Sequence, residues 1–185
     1  MQERRVRVRD YGSLARGDSR LVDVESVSKQ QRLHWSAAAK FEDMRRAALA
    51  AGLDLKIVSG WRAKKTEPRG SWESRMAARY GSLAEARKWR AYSSPHETGL
   101  AFDIGSEGLA PVSATAARQR QTAAYQWLSD NAASFGITPY LAEPWHWEAN
   151  IPRRDWDRRS APPNGMLLTA FALAGAALVT YMVVS

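Results

Sequence analysis

This sequence of 185 residues contains no cysteine, and that is its most informative absence. Without cysteine the chain cannot form a disulfide scaffold, a thiolate metal site or a thiol nucleophile. Any metal site must therefore use histidine, aspartate or glutamate. The chain is long enough to bury one ordinary hydrophobic core without cross-links, so we expect one main domain with terminal appendages.

The N-terminus lacks the apolar segment that a secretory signal peptide requires. Its first ten residues are Met-Gln-Glu-Arg-Arg-Val-Arg-Val-Arg-Asp, in which arginine alternates with valine. The sequence therefore predicts no N-terminal signal peptide. We interpret residues 1 to 27 as a basic, partly ordered arm, because Gly12 and Gly17 interrupt any longer pattern.

Nucleic-acid recognition motifs are also missing. The formal net charge of +8 by itself suits nucleic acid, an anionic membrane or an anionic wall polymer as partner. Much of the excess positive charge lies in the flanks. Residues 1 to 20 hold six arginines and three acidic residues, and residues 153 to 159 hold four arginines and two aspartates. The middle of the chain has no helix-turn-helix, zinc-finger or RRM signature. We therefore predict no nucleic-acid partner.

Hydrophobic periodicity predicts an α+β fold. Some segments place apolar residues at the three- and four-residue spacings of a helix, and others are short apolar or alternating stretches typical of strands. Helices are predicted over residues 28 to 51, 82 to 91 and 114 to 134, and strands over residues 55 to 59, 100 to 104 and 145 to 148.

One long apolar run stands near the C-terminus. Residues 153 to 165 form an Arg- and Pro-containing linker, and residues 166 to 184 after it carry no charge. As a helix, these 19 residues would extend about 28 Å, close to the thickness of a bilayer's hydrocarbon core. We predict a C-terminal apolar helix that crosses the membrane once and makes the protein membrane-associated.

Two short motifs hold residues suited to metal-dependent hydrolysis. The first is Ser-Pro-His96-Glu-Thr-Gly-Leu-Ala-Phe-Asp103, and the second is Glu143-Pro-Trp-His146. Two histidines and one aspartate leave a fourth tetrahedral position open, which favours a catalytic metal site over a closed structural one. Glu143, three residues before the second histidine, is the candidate general base.

The strand over residues 100 to 104 predicts where the aspartate points. If Leu100, Phe102 and Ile104 face the core, Asp103 faces the opposite side and a cleft. Arg62 follows the first predicted strand and could bind a carboxylate or stabilise an oxyanion there.

Each candidate also has a purely structural interpretation. An isolated histidine usually packs or lies at the surface, and we assign that role to His34 within the first predicted helix. Asp103 alone could cap a turn, and Arg62 alone could form a surface ion pair. The tryptophans near the motifs, which suit a core or a cleft wall, are Trp61, Trp145 and Trp147.

Taken together, the motifs resemble one known family. The pattern Ser-x-His-x-x-Gly-x-Ala-x-Asp, followed forty residues later by Glu-x-Trp-His, is similar to that of the zinc D-Ala-D-Ala carboxypeptidases and related wall peptidases, including the VanY and VanX types and phage L-alanyl-D-glutamate endolysins. The resemblance covers about residues 30 to 150. It includes Ser59-Gly-Trp-Arg62, where the family has Ser-Gly-Tyr-Arg, and residues 127 to 136, which are similar to the VanY segment before the last ligand.

The resemblance implies a small antiparallel sheet flanked by helices, within a zinc peptidase domain at residues 28 to 152. It implies a zinc metallopeptidase that hydrolyses peptide bonds of peptidoglycan stem peptides, of the D-Ala-D-Ala carboxypeptidase type. The implied roles are Zn2+ binding for His96, Asp103 and His146, base catalysis for Glu143, transition-state stabilisation for Arg62, and substrate binding for Ser94, with Trp145 and Glu67 as further candidates.

The chain departs from the family pattern at one position. VanY-type members usually carry glutamine five residues after the arginine of the first motif, and this chain has Glu67. A carboxylate there would repel the terminal carboxylate of a substrate. A phage-type or delivered endopeptidase used in lysis, which cuts within the stem peptide or cross-bridge, therefore stays open. A non-catalytic zinc-bearing binding module is less favoured, because such a module has no need of Glu143.

The apolar run also bears on location. Four arginines of residues 153 to 159 precede it and no charge follows it, so the positive-inside tendency predicts a cytoplasmic catalytic side. An enzyme acting on the cell wall or in the periplasm would then need lysis or delivery machinery as a partner. In a third hypothesis the basic flanks and the apolar run carry the main function, and the protein is a membrane-disrupting or anchoring factor.

Overall fold

The computed structural model describes residues 7–27, 30–87 and 90–160. The strands are β1 (Leu21–Val24), β2 (Gln31–His34), β3 (Ile57–Ser59), β4 (Ala101–Ile104), β5 (Ile137–Pro139) and β6 (His146–Ala149). The helices are α1 (Trp35–Ala50), α2 (Arg69–Tyr80), α3 (Leu83–Arg87), α4 (Ala116–Gln119), α5 (Ala123–Asn131) and α6 (Arg153–Asp157), and single 3-10 turns span Val8–Asp10, Pro95–Thr98, Ser113–Thr115 and Ala132–Phe135. The predicted α+β class is confirmed.

A four-stranded antiparallel sheet in the order β3-β4-β6-β5 organises the domain. Asp103 on β4 pairs with His146 on β6 and, on the other side, with Ser59 on β3. The two central strands therefore bring two of the predicted metal ligands side by side. The hairpin of β1 and β2 forms a separate two-stranded sheet.

The core lies between this sheet and α1. The buried side chains Phe41 and Met44 face the sheet from α1, and Phe41 contacts Phe102 edge to face with ring centroids 5.5 Å apart. Leu100, Phe102 and Ile104 all belong to this core, as the alternation along β4 predicts. Asp103 is thereby turned to the other face of the sheet.

The first helix is shorter than its periodicity predicts. Residues 31–34 form β2, whose register with β1 pairs His34 with Leu21, and α1 begins only at Trp35. His34 therefore caps the helix, and its Nδ1 accepts a hydrogen bond from the backbone N–H of Ser36. The assignment of His34 to the helix interior is wrong, but it is a fully buried packing residue.

Two other helix predictions also change. The segment predicted as one helix over residues 114 to 134 is divided, because the hydroxyl of Thr122 accepts from the N–H of Tyr125 and starts α5 afresh. Of the helix predicted over residues 82 to 91, the structure describes α3 (Leu83–Arg87). The helix α2 (Arg69–Tyr80) was not predicted. Its buried residues Trp72 and Met76 lie four apart, so the helical spacing was present in the sequence but was overlooked.

The N-terminal segment packs on the domain from residue 8 onwards. Val8, Tyr11 and Leu14 are buried in the main core, and the Tyr11 hydroxyl donates to the Ile151 carbonyl. Within the described residues 7–27, part of the predicted arm thus packs on the main core. Three apolar residues at a spacing of three carry the packing. At the other end, residues of the predicted linker form α6, whose Trp156 is buried.

The predicted apolar helix over residues 166 to 184 lies outside the described residues. Within residues 7–27, 30–87 and 90–160, no helix is long and apolar enough to cross a membrane. The longest described helix, α1, has 16 residues with charged side chains among them, whereas a span needs about 20 mostly apolar residues. The predictions of a transmembrane helix and of a membrane-associated location are therefore corrected.

Candidate active site

The three predicted metal ligands lie together on the face of the sheet opposite the core. His96 comes from the 3-10 turn Pro95–Thr98, Asp103 from β4 and His146 from β6. All three are buried, and one potential ligand atom from each lies within 4.8 Å of the others. Asp103 and His146 converge because β4 and β6 are paired, and His96 joins them from the turn that precedes β4.

The atoms that face one another form a nearly equilateral triangle. His96 Nε2 lies 3.2 Å from His146 Nδ1 and 3.3 Å from Asp103 Oδ1, and His146 Nδ1 lies 3.2 Å from the same oxygen. Ligand bonds of 2.0–2.1 Å in tetrahedral zinc place ligand atoms about 3.3–3.4 Å apart. The triangle therefore has the size of one face of a zinc tetrahedron.

A capped turn holds His96 in place. The Ser94 hydroxyl accepts from the His96 backbone N–H, and the Glu97 carboxylate accepts from the Ser94 N–H, which completes a capping box. Gly99 ends the turn with φ +74°, and a Cβ there would lie 2.8 Å from the backbone nitrogen of His34. A side chain at this position would therefore clash with the start of α1.

The His96 ring is oriented by a backbone group that the sequence did not point to. Its Nδ1–H donates to the Gly60 carbonyl at 2.7 Å, which leaves Nε2 facing the site. Gly60 must be a glycine, because a Cβ there would lie 2.5 Å from the Arg32 carbonyl oxygen. The Ser-Gly-Trp-Arg motif thus contributes to metal-ligand geometry as well as supplying Arg62.

The ligands are electrostatically coupled. Burial raises the pKa of Asp103, but hydrogen bonds with His146 and His96 outweigh it and hold that pKa well below its usual range. Burial lowers the pKa of His146, and hydrogen bonds with Asp103 and Glu148 outweigh it and raise that pKa to about 9. Without metal, the pair is therefore a buried aspartate beside an imidazolium, so a metal must displace a proton.

Arg62 lies at the outer edge of the triangle. Its Nη2 donates to Asp103 Oδ2 at 2.7 Å, while Nε and Nη2 both donate to the Ser59 hydroxyl. The Asp103 side chain is buried, whereas half of the Arg62 side chain is exposed. Arg62 Nη1 has no hydrogen-bond partner among the described residues and can therefore donate to a molecule in front of the site.

Glu143 lies in the tight turn that precedes β6. Its N–H donates to the Tyr140 carbonyl, and its own carbonyl accepts from the His146 N–H at 2.9 Å. In the described part of the chain, the Glu143 carboxylate makes no hydrogen bond or ion pair with another side chain. The residue is half-buried.

The remaining predicted site residues occupy different surroundings. Trp145 is buried, and its carbonyl accepts from the Ile104 N–H. Glu67 pairs with Arg75, whose Nη2 lies 2.6 Å from Oε2, and this hydrogen bond lowers the Glu67 pKa. The Ser94 hydroxyl caps the turn of the metal site. Substrate binding by Ser94, Trp145 and Glu67 stays a prediction.

Glu148 is a site residue that the sequence analysis missed. Its Oε1 lies 3.3 Å from Nε2 of His146, on the side of the ring that faces away from Asp103. Strand alternation was the available signal, because residues two apart on β6 share a face.

The similarity to known proteins agrees with this geometry. A family model described as VanY, D-alanyl-D-alanine carboxypeptidase, matches residues 30–149. The chain belongs to the VanY family. The family resemblance predicted from the motifs is thus confirmed, and with it the class of enzyme, a peptidoglycan peptidase. No curated protein shows a significant match.

Two solved structures show how far the similarity to VanY-family folds extends. The LdcB LD-carboxypeptidase has 28% identity and a TM-score of 0.59, over 74% of this chain and 71% of that one. VanYB, in a complex with D-alanine-D-alanine, has 25% identity and a TM-score of 0.50, over 77% of this chain and 83% of that one. The family match over residues 30–149 includes the motif residues His96, Asp103 and His146.

Proposed function

We propose that this chain is a zinc-dependent carboxypeptidase that removes the terminal residue of peptidoglycan stem peptides. The observation that carries the proposal is the triangle of His96 Nε2, Asp103 Oδ1 and His146 Nδ1, with sides of 3.2–3.3 Å. The proposed catalytic unit contains residues 28 to 152. It also contains the N-terminal segment and α6, because both pack on the same core.

The donor set supports zinc as the metal. Two imidazoles and one carboxylate are typical of catalytic zinc sites, and the absence of cysteine excludes a thiolate site. When bound, zinc would polarise the attacking water and the carbonyl of the scissile bond. Three protein ligands would leave a coordination position open for the water and for the carbonyl oxygen.

Two further side chains would complete the reaction. Glu143, whose carboxylate has no partner among the described side chains, would accept a proton from the attacking water and deliver it to the leaving amine. Arg62, with half of its side chain exposed, would donate to the oxyanion that develops on the carbonyl, or to the substrate's terminal carboxylate. Its contact with Asp103 fixes where the guanidinium lies.

The environment of Glu67 supports a carboxypeptidase over an endopeptidase. Glu67 is ion-paired with Arg75, which reduces its repulsion of a substrate carboxylate. LdcB is an LD-carboxypeptidase, and VanYB binds D-alanine-D-alanine. Both kinds of terminal bond are therefore substrates to test, and cleavage within the stem or cross-bridge is the second candidate activity.

Metal titration of purified protein tests the proposed site. We expect one zinc per wild-type chain. We expect loss of both zinc and peptidase activity in His96→Ala, Asp103→Ala and His146→Ala, because three ligands leave little redundancy. Circular dichroism would verify that each variant is folded. A folded variant that keeps one tightly bound zinc would show that the replaced residue is not a ligand.

A further inference from the structure

A second carboxylate contacts the metal site without belonging to the triangle. Glu148 Oε1 lies 3.3 Å from His146 Nε2, and His146 Nδ1 lies 3.2 Å from Asp103 Oδ1. The imidazole of His146 is therefore held between two carboxylates, one at each ring nitrogen. None of the motifs singled out in the sequence accounts for the outer one.

The strand geometry explains how Glu148 reaches the ring. His146 and Glu148 lie two residues apart on β6 and share the site face, while Trp147 between them is fully buried in the core. Glu148 pairs with Ala101 across β4. Because Ala101 has only a methyl group, the Glu148 side chain can lie along the sheet toward the ring.

We propose that Glu148 is a positioning residue that fixes the tautomer of His146. A neutral imidazole has one N–H, and either ring nitrogen can carry it. A carboxylate acceptor at Nε2 favours the tautomer with the proton on Nε2. The lone pair of Nδ1 then faces Asp103 and the metal. This inference rests on the proposed zinc site.

The two metal-site histidines are held by different acceptors. His96 donates from Nδ1 to the neutral carbonyl of Gly60, whereas His146 donates from Nε2 to the charged carboxylate of Glu148. A charged acceptor also increases the electron density of the ring, which strengthens it as a ligand. The Glu148 side chain is 26% exposed, so solvent screens part of this effect. Removing Glu148 should therefore weaken zinc binding without abolishing it.

Two variants of the full chain separate orientation from charge. In Glu148→Ala the acceptor is lost, and we expect zinc affinity to fall about 10- to 100-fold, the usual range for such partners. In Glu148→Gln the amide oxygen can still accept from Nε2–H, so we expect a smaller fall. Asp130→Asn, an exposed carboxylate on α5, is the matched control and should leave zinc affinity unchanged.

The readouts are the zinc dissociation constant, from competition with a chelator, and the nitrogen chemical shifts of the His146 ring in the zinc-loaded protein. Wild type and Glu148→Gln should show a proton on Nε2 and zinc on Nδ1, and Glu148→Ala should show a weakened or mixed pattern. Wild-type affinity and ring shifts in Glu148→Ala would overturn the inference. A second result would also overturn the inference: Glu148→Gln keeps the wild-type zinc affinity but loses turnover about a hundredfold. That result would assign base catalysis to Glu148. A wild-type chain that binds no zinc would instead contradict the proposed function.

Discussion

Arg62 and Asp103 are joined by a hydrogen bond of 2.7 Å from Nη2 to Oδ2. The other oxygen of the same carboxylate faces both metal-site histidines. One aspartate therefore links the proposed metal ligands to the cation that would meet the substrate. The position of the guanidinium depends on a residue whose own position is set by the central strand pair.

This link predicts that lysine cannot replace Arg62. A lysine ammonium cannot reproduce the fork that reaches both Ser59 and Asp103 and still present N–H groups outward. We expect Arg62→Lys to retain zinc and to lose about a hundredfold in kcat/KM, the scale for one lost oxyanion donor. Arg46→Lys, at an exposed position on α1, should keep wild-type kinetics. Unchanged kinetics in Arg62→Lys would make Arg62 a structural residue only.

Replacement of Glu143 by glutamine should separate metal binding from catalysis. The variant keeps the size of the side chain but cannot accept a proton. We expect full zinc occupancy and a loss of turnover of at least about a hundredfold. Peptide hydrolysis with metal analysis of the same sample checks both, and Glu42→Gln, at a half-buried position on α1, is the control. Wild-type turnover in Glu143→Gln would rule out Glu143 as the base.

The buried His34 predicts an acid-sensitive stability. Burial lowers its pKa from 6.5 to about 4, against the smaller raising effect of the hydrogen bond to the Trp156 carbonyl. Because the folded-state pKa lies below the unfolded one, the unfolded chain binds more protons between about pH 6.5 and pH 4. The stabilisation is complete above pH 6.5 and is lost as the pH falls to about 4.

The size of this effect is about 3 kcal/mol, since one pKa unit corresponds to about 1.4 kcal/mol. Denaturant unfolding of metal-free protein at a series of pH values measures it. Wild type should lose about 3 kcal/mol more between pH 7 and pH 4 than His34→Gln does. Equal losses in the two proteins would show that His34 does not control this part of the stability curve.

The N-terminal segment should support the metal-binding turn. The Ser13 hydroxyl donates to Glu97 Oε2 at 2.8 Å, and the Leu14 N–H donates to the Glu97 carbonyl. Ser13→Ala removes a donor from a buried carboxylate beside His96, which should reduce the free energy of unfolding by about 1–3 kcal/mol. We also expect faster zinc release to a chelator. Ser129→Ala, at an exposed position on α5, should change neither quantity.

The motif residues were predictable because their chemistry is local in the sequence. Two of the ligands can be recognised from the spacing of His96 and Asp103 alone. The buried face of their strand can be recognised from the alternation of Leu100, Phe102 and Ile104. Neither step needs knowledge of the rest of the fold. The pairing of β4 with β6, which brings His146 to these two ligands, is a finding of the structure. The α+β class and the family could be inferred on the same basis.

The parts that were missed depend on contacts between distant segments. β2 forms because its partner β1 lies across a hairpin, and the helical periodicity that follows hides this strand. Val8, Tyr11 and Leu14 are buried by residues far along the chain, such as Ile151. None of these relationships is encoded in a local pattern.

The most direct test of the proposed function is mass spectrometry of synthetic stem peptides after incubation with the zinc-loaded chain. One peptide should end in D-Ala-D-Ala, a second should end in an L-residue followed by D-Ala, and a third should contain a cross-bridge. We predict release of a single terminal D-Ala from at least one of the first two, with no release in the presence of chelator or by Glu143→Gln. Failure of the folded, zinc-loaded wild-type chain to cleave any of the three peptides, or cleavage only within the cross-bridged peptide, would contradict a carboxypeptidase.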